Sequence, residues 1–361
     1  MICRSRRAHR ALGLALTAAV LVIAACSGDD TSADDPEADE TLAPAAEGPA
    51  EPVPSAGCKA PPADPEVEAE HTLTVDAVPR RYLRTVPTSY DGETPVPLVF
   101  DIHGLAEGAE VHAGMTKYSD LAEEEGFVVA FPHGTGEPVR WTIDQSPTNP
   151  DLVYFDAMLE ELGAELCIDE ARVYATGLSM GAMFSSVLLC ERADELAAAA
   201  PVAGIIYMEE CDPSQPVPVL SYHGTEDPIL LFNGGVDTSR ISGVLPDGGD
   251  GSTTTTTAPA ETDLDGEGYP ANVAAFAERN GCDPEPEDEE LTDAVVHRVY
   301  DCPEGADVEF YIVLGGGHSW PSSEFSQSIE TIVGPTTFDI DATRDSWEFL
   351  RRFTKGGGEG G

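Results

Sequence analysis

Short, continuous apolar runs separated by stretches of helical period dominate the chain from about residue 71 onward. Val96–Ile102 (VPLVFDI), Phe127–Phe131, Arg172–Thr176, Ala198–Val202 and Val217–Tyr222 carry almost no alternation, as strands buried on both faces do. Between them, Val111–Glu125, Asp151–Leu166 and Ser179–Leu189 space their apolar residues for helices. His71–Asp76 and Arg80–Val86 do alternate and predict a hairpin at the start. After a Gly/Asp-rich, Thr-rich stretch at 234–268, read as an exposed insertion, the pattern resumes. It predicts a helix at Ala271–Arg279, strands at Ala294–Tyr300 and Val308–Leu314, and a last helix near Ala342–Phe353. Strands alternating with helices predict an α/β domain, a mostly parallel central sheet with helices on both faces, over 71–353. Residues 354–361 read as a flexible tail.

The residues before 71 follow another pattern. Arg4, Arg6, Arg7 and Arg10 precede an uncharged run from Ala11 to Ala25, the arrangement of an export signal over residues 1–25. Ile23-Ala24-Ala25-Cys26 resembles the lipobox of bacterial lipoproteins, which implies a lipid anchor on Cys26 and a place on the outer face of the cell membrane; simple secretion is the alternative. Residues 26–70, rich in Asp, Glu, Ala and Pro, read as a disordered acidic tether.

Charge narrows the partners. With 66 acidic against 19 basic residues the chain carries −47, the reverse of a nucleic-acid footprint. Neutral substrates are favoured over anionic ones, and no apolar span outside the N-terminus is long enough for a multi-span membrane protein. A monomer is expected. Beyond Cys3 and Cys26, six cysteines remain, consistent with three disulfides and an oxidising compartment. Fifteen pairings are possible. Cys282 and Cys302 flank a 19-residue segment and are expected to pair; Cys190–Cys211 and Cys58–Cys167 complete the set adopted here. No spacing suits a metal, and no cofactor is implied.

The chemistry concentrates at three places. Arg172–Gly181 (RVYATGLSMG) runs from a buried strand through G-x-S-x-G into a helix, the form of a nucleophile elbow that lifts Ser179 to a helix N-terminus. A serine needs a base, and His318 stands in a glycine turn, GGGHSWP, directly after the last strand. Val217–Tyr222 leads into HGTEDP, where Pro228 restricts Asp227 to extended backbone; Asp227 is the expected acid, with Glu226 the alternative. The oxyanion donors are expected to be the backbone N–H of Met180 and that of Leu105 (or Gly104) in the loop after Val96–Ile102. His103 reads as structural.

Together these motifs resemble the exported esterases of the polyhydroxybutyrate depolymerase and feruloyl esterase group, within the α/β-hydrolase fold. The resemblance rests on His103-Gly104, GLSMGAM at 177–183, APVAG at 200–204, HGTED at 223–227, RNGC at 279–282 and GGGHSWP at 315–321. It implies a serine carboxylic-ester hydrolase working through an acyl-enzyme without a cofactor. Ferulate-type, short hydroxyalkanoate or other small esters are its expected substrates, and Trp320 and Trp141 its expected substrate-binding side chains. Acyl transfer to cell-wall sugars, a peptidase of the prolyl-oligopeptidase type and a non-catalytic binding lipoprotein are the alternatives on the same fold.

Overall fold

A computed structural model describes residues 51–237, 239–240 and 262–355, all within the compact unit Glu47–Gly361. The proposed signal, Cys26, most of the insertion and the end of the tail lie outside the described residues. One ten-stranded sheet runs through the unit. Its strands are β1 (Glu66–Val75), β2 (Val78–Val86), β3 (Val96–Ile102), β4 (Val128–Pro132), β5 (Ile168–Leu178), β6 (Ala198–Val202), β7 (Val219–Gly224), β8 (Glu287–Thr292), β9 (Val295–Val299) and β10 (Val308–Val313). They lie in the order β1-β2-β4-β3-β5-β6-β7-β10-β9-β8. The six from β4 to β10 are parallel, flanked by antiparallel pairs at both edges. This is the α/β-hydrolase arrangement.

The runs without polar alternation become central strands because both faces are covered. On β3, Leu98, Phe100 and Ile102 face one core, shared with Phe155 and Met158 of α3 (Pro150–Glu165), Phe184 and Leu188 of α4 (Met180–Glu191), and Phe276 of α5 (Tyr269–Asn280). Val99 faces the other core, with Met115 of α1 (Ala109–Thr116), Leu121 of α2 (Tyr118–Glu125), and Trp347 of α8 (Ala342–Leu350). The period of two along a largely apolar strand thus feeds two separate cores.

Strand order reverses at β3: β4 lies on one side and β5 on the other. In open α/β sheets, ligands bind in the crevice beyond the carboxyl ends of strands at such a switch point. Ile102 pairs with Gly177, so the loop after β3 emerges beside the turn after β5.

Several expectations are corrected. The single helix over 111–125 is two, because Lys117 adopts a left-handed conformation (φ 60°) between α1 and α2. β8, and the short helices α6 (Glu324–Ser328) and α7 (Glu330–Val333), were not foreseen. The sequence EDEELT of β8 is almost wholly exposed at the sheet edge, where no apolar face is required and charge discourages edge-to-edge pairing.

The tether does not run to residue 70. β1 begins at Glu66, and before it Val53 N–H donates to Asp169 Oδ1, Ser55 Oγ–H donates to the Leu166 carbonyl, and Cys58 is bonded to Cys167. The acidic composition hid this because backbone pairing and one cysteine, rather than an apolar period, fix the segment. At the other end, Lys355 donates to Glu195 and to the Ala171 carbonyl, so the tail is anchored at its start. The other two disulfides are Cys190–Cys211 and Cys282–Cys302, as expected.

A chain beginning at residue 51 should therefore match the full chain in stability. One beginning at residue 71 loses the Cys58–Cys167 bridge and half of β1. It should be less stable by at least the roughly 2–4 kcal/mol typical of a bridge closing a long loop, read as a lower urea midpoint.

Candidate active site

Ser179 sits between the last residue of β5 and the first of α4 with φ 58° and ψ −117°, a conformation sparsely populated by residues other than glycine. Its neighbours explain how the turn is held. A Cβ at Gly177 would lie 2.4 Å from the Ile102 carbonyl oxygen, one at Gly181 only 1.9 Å from the same atom, and one at Gly204 2.3 Å from the carbonyl oxygen of Ser179 itself. The G-x-S-x-G glycines are thus required by contact with the end of β3. Ser179 N–H donates to Val202 O on β6. Met180 is the first residue of α4, where backbone N–H groups lack intrahelical partners. Among the described residues Ser179 Oγ forms no hydrogen bond.

Two strands further along, Gly224 ends β7, and Asp227 follows in a turn closed by its N–H to the Gly224 carbonyl. Asp227 is buried. Its Oδ1 accepts from the backbone N–H groups of Ile229 and Leu230, both at 2.8 Å. Its Oδ2 accepts from His318 Nδ1 at 2.7 Å and lies 3.3 Å from His223 Nε2. Burial alone would raise this carboxyl's pKa, but the charge of His318 and the hydrogen bonds from His223 and His318 outweigh it, holding Asp227 well below the usual carboxylate range. Glu226, by contrast, is exposed.

His318 follows β10 through three glycines. Gly316 O lies where a Cβ on Gly224 would be, 2.2 Å away, so the acid and base loops touch through a glycine. The His318 backbone N–H donates to Val333 O, and Gly317 N–H donates to Pro335 O. The α7 segment that sequence reading missed is therefore the brace of the histidine loop. Burial would lower the His318 pKa, whereas the neighbouring charge and hydrogen bond of Asp227, with a further contribution from Glu107, raise it above its ordinary value.

His223 is a second imidazole on the acid. Its Nε2–H donates to the Leu230 carbonyl, and its ring stacks on Tyr269 at 3.6 Å between centroids. The HGTED pattern contained this residue, but only the fold reveals its contact with Asp227.

The loop after β3 is equally constrained. His103 is fully buried. Its Nδ1–H donates to Gly104 O and its Nε2 accepts from Gly134 N–H, and burial pushes its pKa down to about 4, so it is a neutral strut as expected. Within the loop, Gly104 N–H donates to Glu107 Oε2 and Ala106 N–H to Val139 O. Of the two donors considered, Gly104 is engaged, which leaves Leu105, partly exposed and with no hydrogen bond from its N–H among the described residues.

Trp320 and Trp141, expected to meet substrate, are both buried in the core. Trp320 is 1% exposed, its Nε1–H donates to Thr343 Oγ1, and its ring meets His112 and Tyr118 edge-on in the core. Trp141 is 2% exposed, stacked on Phe184, with Nε1–H donating to His103 O. Both support the rim loops from below. Among the described residues no group of three or more His, Cys, Asp or Glu side chains is placed to hold a metal ion, and no helix is long and apolar enough to cross a membrane.

Comparison with known proteins places this geometry. The chain is 29% identical to feruloyl esterase B of Piromyces equi over 66% of its own length, and 27% identical to the bifunctional acetylxylan esterase/xylanase XynS20E of Neocallimastix patriciarum over 67%. It spans only 42% and 31% of the length of these two relatives. It is 29% identical to the putative esterase NocK of Nocardia uniformis subsp. tsuyamanensis over 70% of its length and 74% of that protein's. Among solved structures, an acetyl xylan esterase from Aspergillus awamori superposes with a TM-score of 0.48 at 15% identity, covering 73% of this chain and 98% of that one. The family model for esterase PHB depolymerase matches residues 85–265, half of the chain and inclusive of the elbow and Asp227, and the chain belongs to that family.

Proposed function

We propose that this protein is a serine carboxylic-ester hydrolase in which Ser179 is the nucleophile, His318 the base and Asp227 the acid. The observation that carries the reading is the buried His318–Asp227 hydrogen bond on loops that follow β10 and β7, at the same end of the sheet as the strained turn at Ser179. With Nδ1–H committed to Asp227, the remaining ring nitrogen, Nε2, is the one that takes the Ser179 proton as Oγ bonds to the ester carbonyl carbon. The resulting oxyanion is held by the Met180 and Leu105 N–H groups. Collapse breaks the C–O bond to the alcohol, which leaves with the proton from His318. Water, deprotonated by the same nitrogen, then attacks the acyl-enzyme and releases the acid and Ser179.

The names of the relatives, feruloyl and acetylxylan esterases, favour small acyl groups esterified to neutral sugars. The net charge of −47 fits neutral ester substrates and expulsion of an anionic acid product. Three disulfides fit an extracellular site of action. Export through the signal at 1–25, with a lipid on Cys26, is the route we propose.

Hydrolysis of methyl ferulate and p-nitrophenyl acetate should fall by about 10⁴-fold or more in Ser179→Ala without loss of folding. Retained turnover in that variant removes the mechanism, and acyl transfer to a sugar acceptor in preference to water makes the protein a transferase instead.

Because His318 must be neutral to accept the proton, kcat/KM should rise with pH through a value above the ordinary 6.5 of histidine. The same pair governs stability. The raised His318 pKa contributes stability that is complete below about pH 6.5 and lost as pH climbs through the folded value. The lowered Asp227 pKa contributes stability present above about pH 4 and lost on acidification. Asp227→Ala leaves the His318 imidazole and two backbone N–H groups without an acceptor. It should cost about 3–5 kcal/mol between pH 4 and 6.5, and less in alkaline solution, in urea titrations.

A further inference from the structure

Behind the loop after β3 lies a buried cluster that the proposed chemistry does not use. His112, on α1, is completely enclosed. Its Nε2 meets Asp101 Oδ1 of β3 at 2.8 Å and its Nδ1 meets Glu107 Oε2 at 3.3 Å. Asp101, also enclosed, accepts from Thr116 Oγ1–H through its other oxygen. Glu107 Oε2 is the atom that accepts the Gly104 N–H at 2.8 Å. A Cβ on Gly104 would come within 3.1 Å of the Glu107 carboxyl carbon, so the glycine of the HG pair is what lets the carboxylate lie against the loop.

We propose that Glu107, gripped by His112 and through it by Asp101, is a positioning residue for the oxyanion loop. Its carboxylate ties down Gly104 N–H and leaves Leu105 N–H as the loop's donor to substrate. The inference rests on the ester-hydrolase reading above. If packing alone were needed, an apolar side chain would serve here better than a carboxylate only about a fifth exposed, since largely buried charges are costly unless paired and hydrogen-bonded. The pairing is complete: with a carboxylate at each ring nitrogen, His112 bonds both only as the imidazolium, donating from Nδ1 and Nε2.

The surroundings agree. Burial would lower the His112 pKa, but Asp101 and then Glu107 raise it to about 9; Glu107, despite burial that works the other way, is held below the usual carboxylate range by His112 and Gly104 N–H. The other groups around His112 are the neutral His103 at the end of β3, the Trp320 ring edge from the loop after β10, and Tyr118 of α2, whose hydroxyl lies in the field of Asp101. Glu107 also adds to the electrostatic field at His318. When His112 loses a proton, one ring nitrogen presents a lone pair to a carboxylate, and the partly exposed Glu107 is the partner able to move away.

Glu107→Ala and Glu107→Gln separate charge from shape, since the Gln carbonyl can still accept from Gly104 N–H while its amide donates to a neutral His112. Phosphonylation of Ser179 by a p-nitrophenyl phosphonate, followed by mass spectrometry, places the phosphoryl oxygen in the oxyanion site whatever the natural ester. Amide hydrogen exchange across residues 103–107 reports on the loop directly. At pH 7.5, Glu107→Ala should label about a hundredfold more slowly and exchange its loop amides faster, and Glu107→Gln should recover most of both losses. The wild-type labelling rate should fall as pH passes about 9, and Glu107→Gln should lack that fall.

Wild-type labelling and amide protection in Glu107→Ala overturn the inference, as does an alkaline fall that persists in Glu107→Gln. Failure of the wild type to label at Ser179 overturns the esterase reading instead, and the exchange measurement then still decides whether Glu107 holds the loop.

Discussion

Glycine contacts between neighbouring loops are the constraint on which the rest of this site depends. Along the rim of the sheet, β3 touches the elbow through Gly177 and Gly181, the elbow touches the loop after β6 through Gly204, and the acid loop touches the base loop through Gly224. Each contact brings a backbone carbonyl to where a side chain would begin. Loops that close cannot shift independently, because protein interiors are packed too densely to absorb an added carbon. The strained backbone of Ser179 persists for the same reason: it is held by Val202 on one side and by β3 on the other.

On this rigid rim, electrostatics follow a single pattern. The protein has a large surplus of carboxylates, yet Asp101 and Asp227, the two fully enclosed at the site, each face an imidazole at 2.7–2.8 Å. Desolvation opposes charge on Asp227 and on both imidazoles, and the pairing reverses it. Asp227 goes further, since two backbone N–H groups fix its other oxygen and so fix the plane in which it meets His318. The turn that carries Asp227, closed by its own N–H to the Gly224 carbonyl, thereby fixes the geometry in which its carboxylate meets His318.

How much of this was legible in the sequence varied with the kind of force involved. Strands β3 and β6 stand at the predicted residues because central parallel strands are largely apolar on both faces, and short runs of that kind are easily seen. The elbow, HG and GGGH motifs were visible because close backbone approach demands glycine at fixed positions. Elements held by backbone pairing or local turns left no such trace. β8 is acidic and exposed, Lys117 breaks a helix by its own φ, and Val53, Ser55 and Cys58 are fastened by a few hydrogen bonds and one disulfide to partners more than a hundred residues away. Glu107 was equally silent, since a lone Glu in a loop has no pattern until its partners, from β3 and α1, are folded around it.

The tryptophans show where motif reading runs past what residue type can decide. Large aromatic side chains beside a catalytic motif can face substrate or core with the same sequence. Here both face inward, from opposite sides of the sheet: Trp141 stacks on Phe184 in the core under α3, α4 and α5, and Trp320 packs in the core under α1, α2 and α8. Each also directs its indole N–H to a fixed acceptor, the His103 carbonyl and the Thr343 hydroxyl. The two rings thus brace the oxyanion loop and the histidine loop from beneath, one per face. Because rotation of either ring into solvent would cost both a hydrogen bond and a large buried area, the two rings hold the loops they touch in place.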